Sequence, residues 1–267
     1  MATFWTWAFF SLEWAIRLVM LVYVPQRRSP AAARTWLLLI FIEPVLGLLL
    51  YSLFGRAYMP KRRLEMQEQA SQLIKRRAKL LEAHIRRPDL PSEFLQAVRL
   101  AENLGDFPIV GGNYVELLPD YDTSIDRLVA DIRAARCSAY LLYYIFADDK
   151  TGDRVADALM DAARRGVACR VLMDSFASRR PLRTLAPRLR AAGVEVVGVL
   201  PLGLFRFRRN TARLDLRNHR KIAVLDGRVA YVGSQNIVNA DFKPGLVFEE
   251  LVARVTGPVV RELQIVL

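Results

Sequence analysis

Two apolar runs, residues 4–24 and 36–54, open the chain and limit its folds more than anything that follows. A helix of about 20 apolar residues crosses the hydrocarbon core of a bilayer, so the pair reads as a two-helix transmembrane hairpin. Glu13 and Arg17 are four positions apart, on one helical face, where they neutralise each other. Pro44 predicts a kink in the second run, and Glu43 beside it needs shielding by a neighbouring helix. Trp5, Trp7, Trp14, Tyr23, Trp36 and Tyr51 fall mostly near the ends of the runs, where aromatic rings favour the membrane interface. The competing reading is a cleaved signal peptide followed by a buried core helix. No Lys or Arg precedes the first run and no small-residue cleavage site follows it, which argues against a signal peptide.

Charge sets the orientation. The formal net charge is +12, and much of the basic excess lies directly behind the second run: Arg56, Lys61, Arg62, Arg63, Lys75, Arg76, Arg77 and Lys79. Arg27, Arg28 and Arg34 in the connector form the smaller cluster. The positive-inside rule places the larger cluster, and the rest of the chain, in the cytoplasm. Residues 61–86 read as a basic helix with an apolar stripe of Leu64, Leu73, Ile74, Leu80 and Leu81. It suits either an anionic lipid surface or a solvated spacer. His84 within it reads as an ordinary surface residue, and a further helix is expected over 92–103, capped by Ser92.

Beyond residue 113 the pattern alternates. Strands are expected at 114–118, 139–146, 167–174, 194–199, 221–225 and 229–232. Helices are expected at 123–136, 151–165 and 181–192, with a last one opening at Pro258. Helices between buried strands argue for an α/β layered domain with a mixed sheet, since the final pair turns at Asp226-Gly227. The expected organisation is a transmembrane hairpin over 1–56, a basic helical linker over 57–105 and a catalytic domain over 106–267. Two cysteines, Cys137 and Cys169, and two histidines, His84 and His219, indicate neither a disulfide framework nor a zinc site.

The chemistry is concentrated in Asn218-His219-Arg220-Lys221 through Asp226, followed by Gly233-Ser234-Gln235-Asn236. His219 and Lys221 are two apart at the start of a strand, so their side chains leave the same face. A neutral imidazole can attack phosphorus, and an ammonium beside it can stabilise the non-bridging oxygens. Ser234 and Asn236, also two apart, end the paired strand and bring a hydroxyl and an amide toward the same phosphate. Asp226 at the turn can order the loop and compensate a nearby cation. A lone His beside a Lys on a strand is usually an ordinary half-buried pair. Lys and Asp together at those offsets occur by chance about once in 400.

The string His219-x-Lys221-x4-Asp226 followed by Gly-Ser-x-Asn resembles the signature of the phospholipase D superfamily, and within it the bacterial cardiolipin synthases. The likeness extends to Tyr143-Tyr144-Ile145-Phe146 before Asp148-Asp149, to residues 172–176, and to Leu216-Arg217-Asn218. It implies a phospholipase D-type mixed-sheet fold behind the hairpin, with His219, Lys221 and Asp226 as catalytic residues. Lys221, Ser234 and Asn236 would bind the substrate phosphate. It also implies a phosphatidyl group carried on His219 between two phosphatidylglycerol molecules, with glycerol released and no metal or other cofactor. A downstream carboxylate orients the imidazole in the family; Glu250 is the best match, although Asp is more usual there, and Glu249 is the fallback.

This sequence departs from the family in one respect. Such proteins carry two of these strings in one chain, and here there is one. Either the chain is expected to be cut from a longer enzyme, as the uncapped helix at its end suggests, or two copies pair and each contributes His219. The expected partners are anionic phospholipid, the membrane and a second phospholipase D half, with the protein multi-pass in a bacterial inner membrane. Two other readings stay open: a membrane-tethered phosphodiesterase or nuclease acting as a homodimer, and an inactive anchoring protein. Arg206, Phe207, Arg208, Arg209 and Arg213 before the motif keep nucleic acid in view.

Overall fold

The computed structural model describes residues 2–55, 61–81, 87–105, 107–201 and 217–267. The chain divides into two compact units, Met1–Ala70 and Ser71–Leu267.

The first unit begins with α1 (Ala2–Tyr23), whose segment Thr3–Tyr23 is long and apolar enough to cross a membrane by length and composition. The second apolar run does not form one helix. It breaks at Glu43 (φ −132°, ψ 89°) into α2 (Pro30–Ile42) and α3 (Pro44–Leu50), and α3 runs on into a π-turn over Tyr51–Gly55. The expected kink is therefore a full interruption, because Pro44 has no N–H to donate and its ring excludes the preceding turn. Arg17 serves this break from α1. Its Nε donates to the Phe41 carbonyl at 3.1 Å while its Nη1 meets Glu13 at 3.2 Å. Glu13 and Arg17 thus partner each other within the apolar unit. Met20, Val24, Ala33, Ile40 and Tyr51 form a small core against which Ile16, Tyr23, Trp36 and Leu37 pack, and many other apolar side chains, Phe4, Trp5 and Trp7 among them, face outward.

Helix α4 (Lys61–Leu81) contains the boundary between the units; in the second, Pro91 and not the expected Ser92 takes the cap position, with no side-chain cap hydrogen bond, and Ser92 begins a single 3-10 turn before α5 (Leu95–Leu104). Then follow β1 (Tyr114–Leu118), α6 (Tyr121–Ala134), β2 (Ser138–Tyr143), α7 (Lys150–Arg164), β3 (Ala168–Asp174), α8 (Pro181–Ala191) and β4 (Glu195–Val199). The chain ends with β5 (Ile222–Leu225), β6 (Val229–Gly233), β7 (Val252–Thr256) and α9 (Val259–Ile265). Helix starts follow side-chain chemistry. Asp120 caps α6, which begins two residues before the expected 123, by accepting from Thr123 N at 2.7 Å, and Asp149 caps α7 by accepting from Gly152 N. Strand β7 is not among the expected strands; only Glu249 and Glu250, just before it, are named in the sequence, for their carboxylates.

The sheet order is β1-β7-β6-β5-β2-β3-β4. β2, β3 and β4 run parallel through crossovers α7 and α8, while β5, β6, β7 and β1 pair antiparallel. The mixed sheet is thus a parallel half joined to an antiparallel half. Helices α6, α7 and α8 bury Ile132, Leu159, Leu185 and Leu189 against Leu141, Val171, Met173 and Tyr231. On the other face, Val260 of α9 packs on Ile222, Val224 and Ala230. Each such Val, Leu, Ile or Met side chain contributes roughly 1.5–3 kcal/mol by leaving water.

Candidate active site

Strand direction decides where chemistry gathers. The C-terminal ends of β2, β3, β4 and β6 and the N-terminal ends of β5 and β7 share one edge of the sheet. His219 and Lys221 precede β5, Tyr144 follows β2, Ser234 and Asn236 follow β6, and Glu250 precedes β7. Most of the residues expected to act on phosphate therefore meet there.

His219 is exposed and lies flat on Tyr144, with ring centroids 3.8 Å apart and planes 22° from parallel. Lys221 Nζ lies 5.6 Å from the centroid of the same ring and donates to the His219 carbonyl at 2.7 Å. Both side chains thus contact one aromatic face, as two-residue spacing requires, although the segment is an extended approach to β5 and not part of the strand. Asn218 shapes the approach by accepting from Arg220 N at 3.1 Å. Burial lowers the Lys221 ammonium below its ordinary range, and the Glu250 carboxylate opposes that shift.

Asn236 is half-buried, and its Oδ1 accepts from Ile145 N at 3.0 Å. A backbone N–H can only donate, so the amide orientation is fixed and its NH2 faces away as a donor. Ser234 is exposed and its Oγ accepts from Leu251 N at 3.2 Å. The glycine of this motif is required by packing: a Cβ on Gly233 would lie 2.8 Å from Val252 Cα. Between the two polar residues, buried Gln235 points inward, donating to the Tyr121 carbonyl at 2.8 Å and accepting from Ser124 Oγ. Burial and then the Glu250 charge push the Tyr121 phenol up to about 12.

Asp226 stands apart from the other expected site residues. Expected among the catalytic residues, it lies at the opposite end of β5, where its carboxylate accepts from Arg136 N (2.9 Å), Cys137 N (2.7 Å) and Ser138 N (2.8 Å). Ser138 opens β2 and Tyr144 follows its end, which separates Asp226 from His219 by roughly 20 Å of strand. Burial acts to raise this carboxyl, but the three N–H groups outweigh it and hold it below the ordinary carboxylate range. Asp226 (φ 53°) and Gly227 (φ 61°) form the tight turn into β6. Of its expected roles, ordering the turn is the one the geometry fits.

Glu250 is at the right edge, where its charge acts on Lys221 and Tyr121, yet among the described residues it makes no hydrogen bond to His219. Glu249 is exposed. Among the described residues no group of three or more His, Cys, Asp or Glu side chains could hold a metal ion. His84 and the basic stretch Arg206, Phe207, Arg208, Arg209 and Arg213 lie outside the described residues.

Arg217 and Asp174, quoted in the sequence without a role, and Ser178, which was not singled out there, also shape this edge. Arg217 and Asp174 form a buried bidentate pair, Nε–Oδ2 at 2.9 Å and Nη2–Oδ1 at 2.8 Å, with 4% and 0% of the side chains exposed. Nη2 also donates to the Leu200 carbonyl at 2.8 Å. The pair ties the approach to His219 onto the ends of β3 and β4. Ser178, also buried, accepts from Phe146 N at 3.0 Å and donates to the Tyr144 carbonyl at 3.2 Å, fixing the backbone on which His219 rests. The signal in the sequence was polarity at strand ends, which alone does not reveal a partner.

Residues 128–264 match the family described as "Cardiolipin synthase, PLD-like domain". The chain is 37% identical over 284 residues to cardiolipin synthase A of Pectobacterium carotovorum, covering 100% of this chain and 57% of that protein. Against cardiolipin synthase A of Proteus mirabilis the identity is 33% over 282 residues, with the same coverage of 100% and 57%. The chain thus spans little more than half the length of these curated relatives. A solved structure, NucT from Helicobacter pylori, is 19% identical and covers 58% of this chain and 88% of its own, with a TM-score of 0.42.

Proposed function

Because the chain belongs to the cardiolipin synthase, PLD-like domain family, we propose that it supplies one half of a phosphatidyltransferase working between two phosphatidylglycerol molecules. The observation that carries this is the exposed His219 ring held beside the Lys221 ammonium, at the edge shared with Ser234 and Asn236. An imidazole nitrogen of His219 attacks phosphorus. The new N–P bond replaces the P–O bond to glycerol, and an acid from a second half-site protonates the departing oxygen. The hydroxyl of a second phosphatidylglycerol then attacks. Its proton returns to that group, the N–P bond breaks and cardiolipin leaves. Lys221 and the Asn236 NH2 stabilise the non-bridging oxygens where charge accumulates.

The second half comes from the remainder of a longer chain or from a second copy; relatives nearly twice as long favour the former. The length of α1, the outward apolar side chains of the first unit and the basic residues behind the hairpin support a multi-pass anchor in a bacterial inner membrane with the sheet domain in the cytoplasm.

The test is turnover of labelled phosphatidylglycerol in vesicles by the purified chain, alone and with the C-terminal half of a relative. Cardiolipin should form only in the mixture, a phosphoenzyme should accumulate on acid quench, and His219→Ala should abolish both. Hydrolysis of DNA without lipid transfer would replace this reading with the nuclease one. Lipid transfer surviving His219→Ala would end it.

A further inference from the structure

We propose that Tyr144 is a positioning residue for His219, a flat aromatic support that sets the plane of the imidazole and holds Lys221 on the same side; this role rests on the nucleophile reading above. Three observations converge on it. The rings are stacked at 3.8 Å and 22°, and Lys221 Nζ lies 5.6 Å from the same phenol centroid. Among the described residues neither imidazole nitrogen has a hydrogen-bond partner, so the stack is the contact that orients an otherwise exposed ring. The support is itself immobilised on both sides: Ser178 accepts from Phe146 N at 3.0 Å and donates to the Tyr144 carbonyl at 3.2 Å, while Asn236 accepts from Ile145 N at 3.0 Å.

The physical consequence concerns both ground state and reaction. An exposed histidine samples several rotamers, and ordering it has an entropic cost. Stacking restricts the ring to one plane and leaves both nitrogens at its rim, open to an incoming phosphate. Attack makes the ring cationic, and a cation over a phenol face is favoured. Only the ring face matters for this. The hydroxyl of Tyr144 takes no part.

The experiment uses the full chain in detergent micelles with labelled histidine. There are two histidines, His84 and His219, so two imidazole spin systems are expected, and His219→Gln assigns them. The stack predicts upfield-displaced ring protons for His219. The displacement should persist in Tyr144→Phe and vanish in Tyr144→Leu, with His84 unmoved and the thermal melts of both variants compared. In a second arm, the chain with a supplied C-terminal half is given phosphatidylglycerol vesicles. Phosphohistidine formation should fall on the order of 10- to 100-fold in Tyr144→Leu, in kcat with KM unchanged, and less than about threefold in Tyr144→Phe. A wild-type rate in the folded Leu variant, or no displaced imidazole in the wild type, overturns the proposal. A displaced imidazole with no phosphohistidine in any protein overturns the functional reading beneath it and leaves the stack standing.

Discussion

At one end of β5, Asp226 has its carboxylate filled by three backbone N–H groups; at the other, His219 lies exposed against Tyr144 with no hydrogen bond to its ring among the described residues. The same string of sequence supplies both ends. The four residues between Lys221 and Asp226 are β5 itself, Ile222–Leu225, so the spacing measures the width of the sheet between a site and its anchor. Locking Asp226 onto Ser138, the first residue of β2, and the two residues before it fixes how far β5 slides along that strand, and therefore which residue of β2's far end His219 meets. A one-residue slip would turn every side chain of β5 to the wrong face. The reactive end is left unsatisfied because a substrate must complete it, and the anchor end is complete without one.

The largest effect should come from removing what holds the reactive end in place. Arg217→Met strands the fully buried Asp174 carboxylate, and breaking such a pair costs about 3–5 kcal/mol. Thermal unfolding in detergent should show this loss. The double variant Arg217→Met, Asp174→Leu should regain much of the stability but not the His219–Tyr144 stack. If the single variant melts like the wild type, the reactive end is not held by this pair.

Lys221 comes next, through activity more than through stability. Replacing it by Met should slow phosphohistidine formation by about 10²–10³-fold, the loss expected for one charge-stabilising donor. Burial lowers its ammonium pKa, so the folded chain binds fewer protons than the unfolded one between that lowered value and the ordinary value of about 10.4. Stability contributed by this group therefore rises with pH across that window, while activity that needs the ammonium falls. Lys221→Arg, which stays charged, should erase the alkaline limb of the rate profile. A limb that survives the change belongs to another group.

The anchor end predicts the reverse pattern. Asp226→Ala should lose about 2 kcal/mol as three N–H groups lose their charged acceptor and a non-glycine residue keeps positive φ. The folded carboxyl titrates below its ordinary range, so its stabilisation is complete above about pH 4 and disappears as pH falls through the lowered value. Asp226→Asn should flatten the acid side of the stability profile and leave the displaced His219 resonances unchanged. Their disappearance would show that the two ends are less separable than the geometry implies.

How much of this could be read beforehand follows from what kind of signal each part leaves. Helices and strands with strong periodicity, such as α7 and β3, were legible to within a residue or so because alternating burial is written locally. Pro44 announced its break because a missing N–H is a local fact. Strand β7 was missed because five residues followed by Gly-Pro show little pattern alone, and it exists through pairing with β1 and β6 on its two sides. The site divided in the same way. His219, Lys221, Ser234 and Asn236 share an edge because two-residue spacing and strand ends dictate it. Tyr144, Ser178 and the Arg217–Asp174 pair join segments far apart in sequence, and only the sheet order brings them together. Asp226 was grouped with His219 and Lys221 because offsets along a chain do not tell at which end of a strand a residue lies.

The smallest effect should fall on Asn236, whose side chain serves structure and substrate at once. Its Oδ1 accepts from Ile145 N beside the Tyr144 support, and its NH2 points away from that bond. Asn236→Ala loses both roles and should cost about 1 kcal/mol. Asn236→Asp separates them. The carboxylate still accepts the Ile145 N–H, so thermal stability should remain within about 0.5 kcal/mol of wild type, and the His219 resonances should stay displaced. The new negative charge, however, faces the position assigned to a phosphate oxygen, so KM for phosphatidylglycerol should rise several-fold, more at low salt than at high. If Asn236→Asp binds substrate like the wild type at every ionic strength, its amide does not touch the phosphate, and Asn236 joins Asp226 among the residues that hold the sheet edge in place.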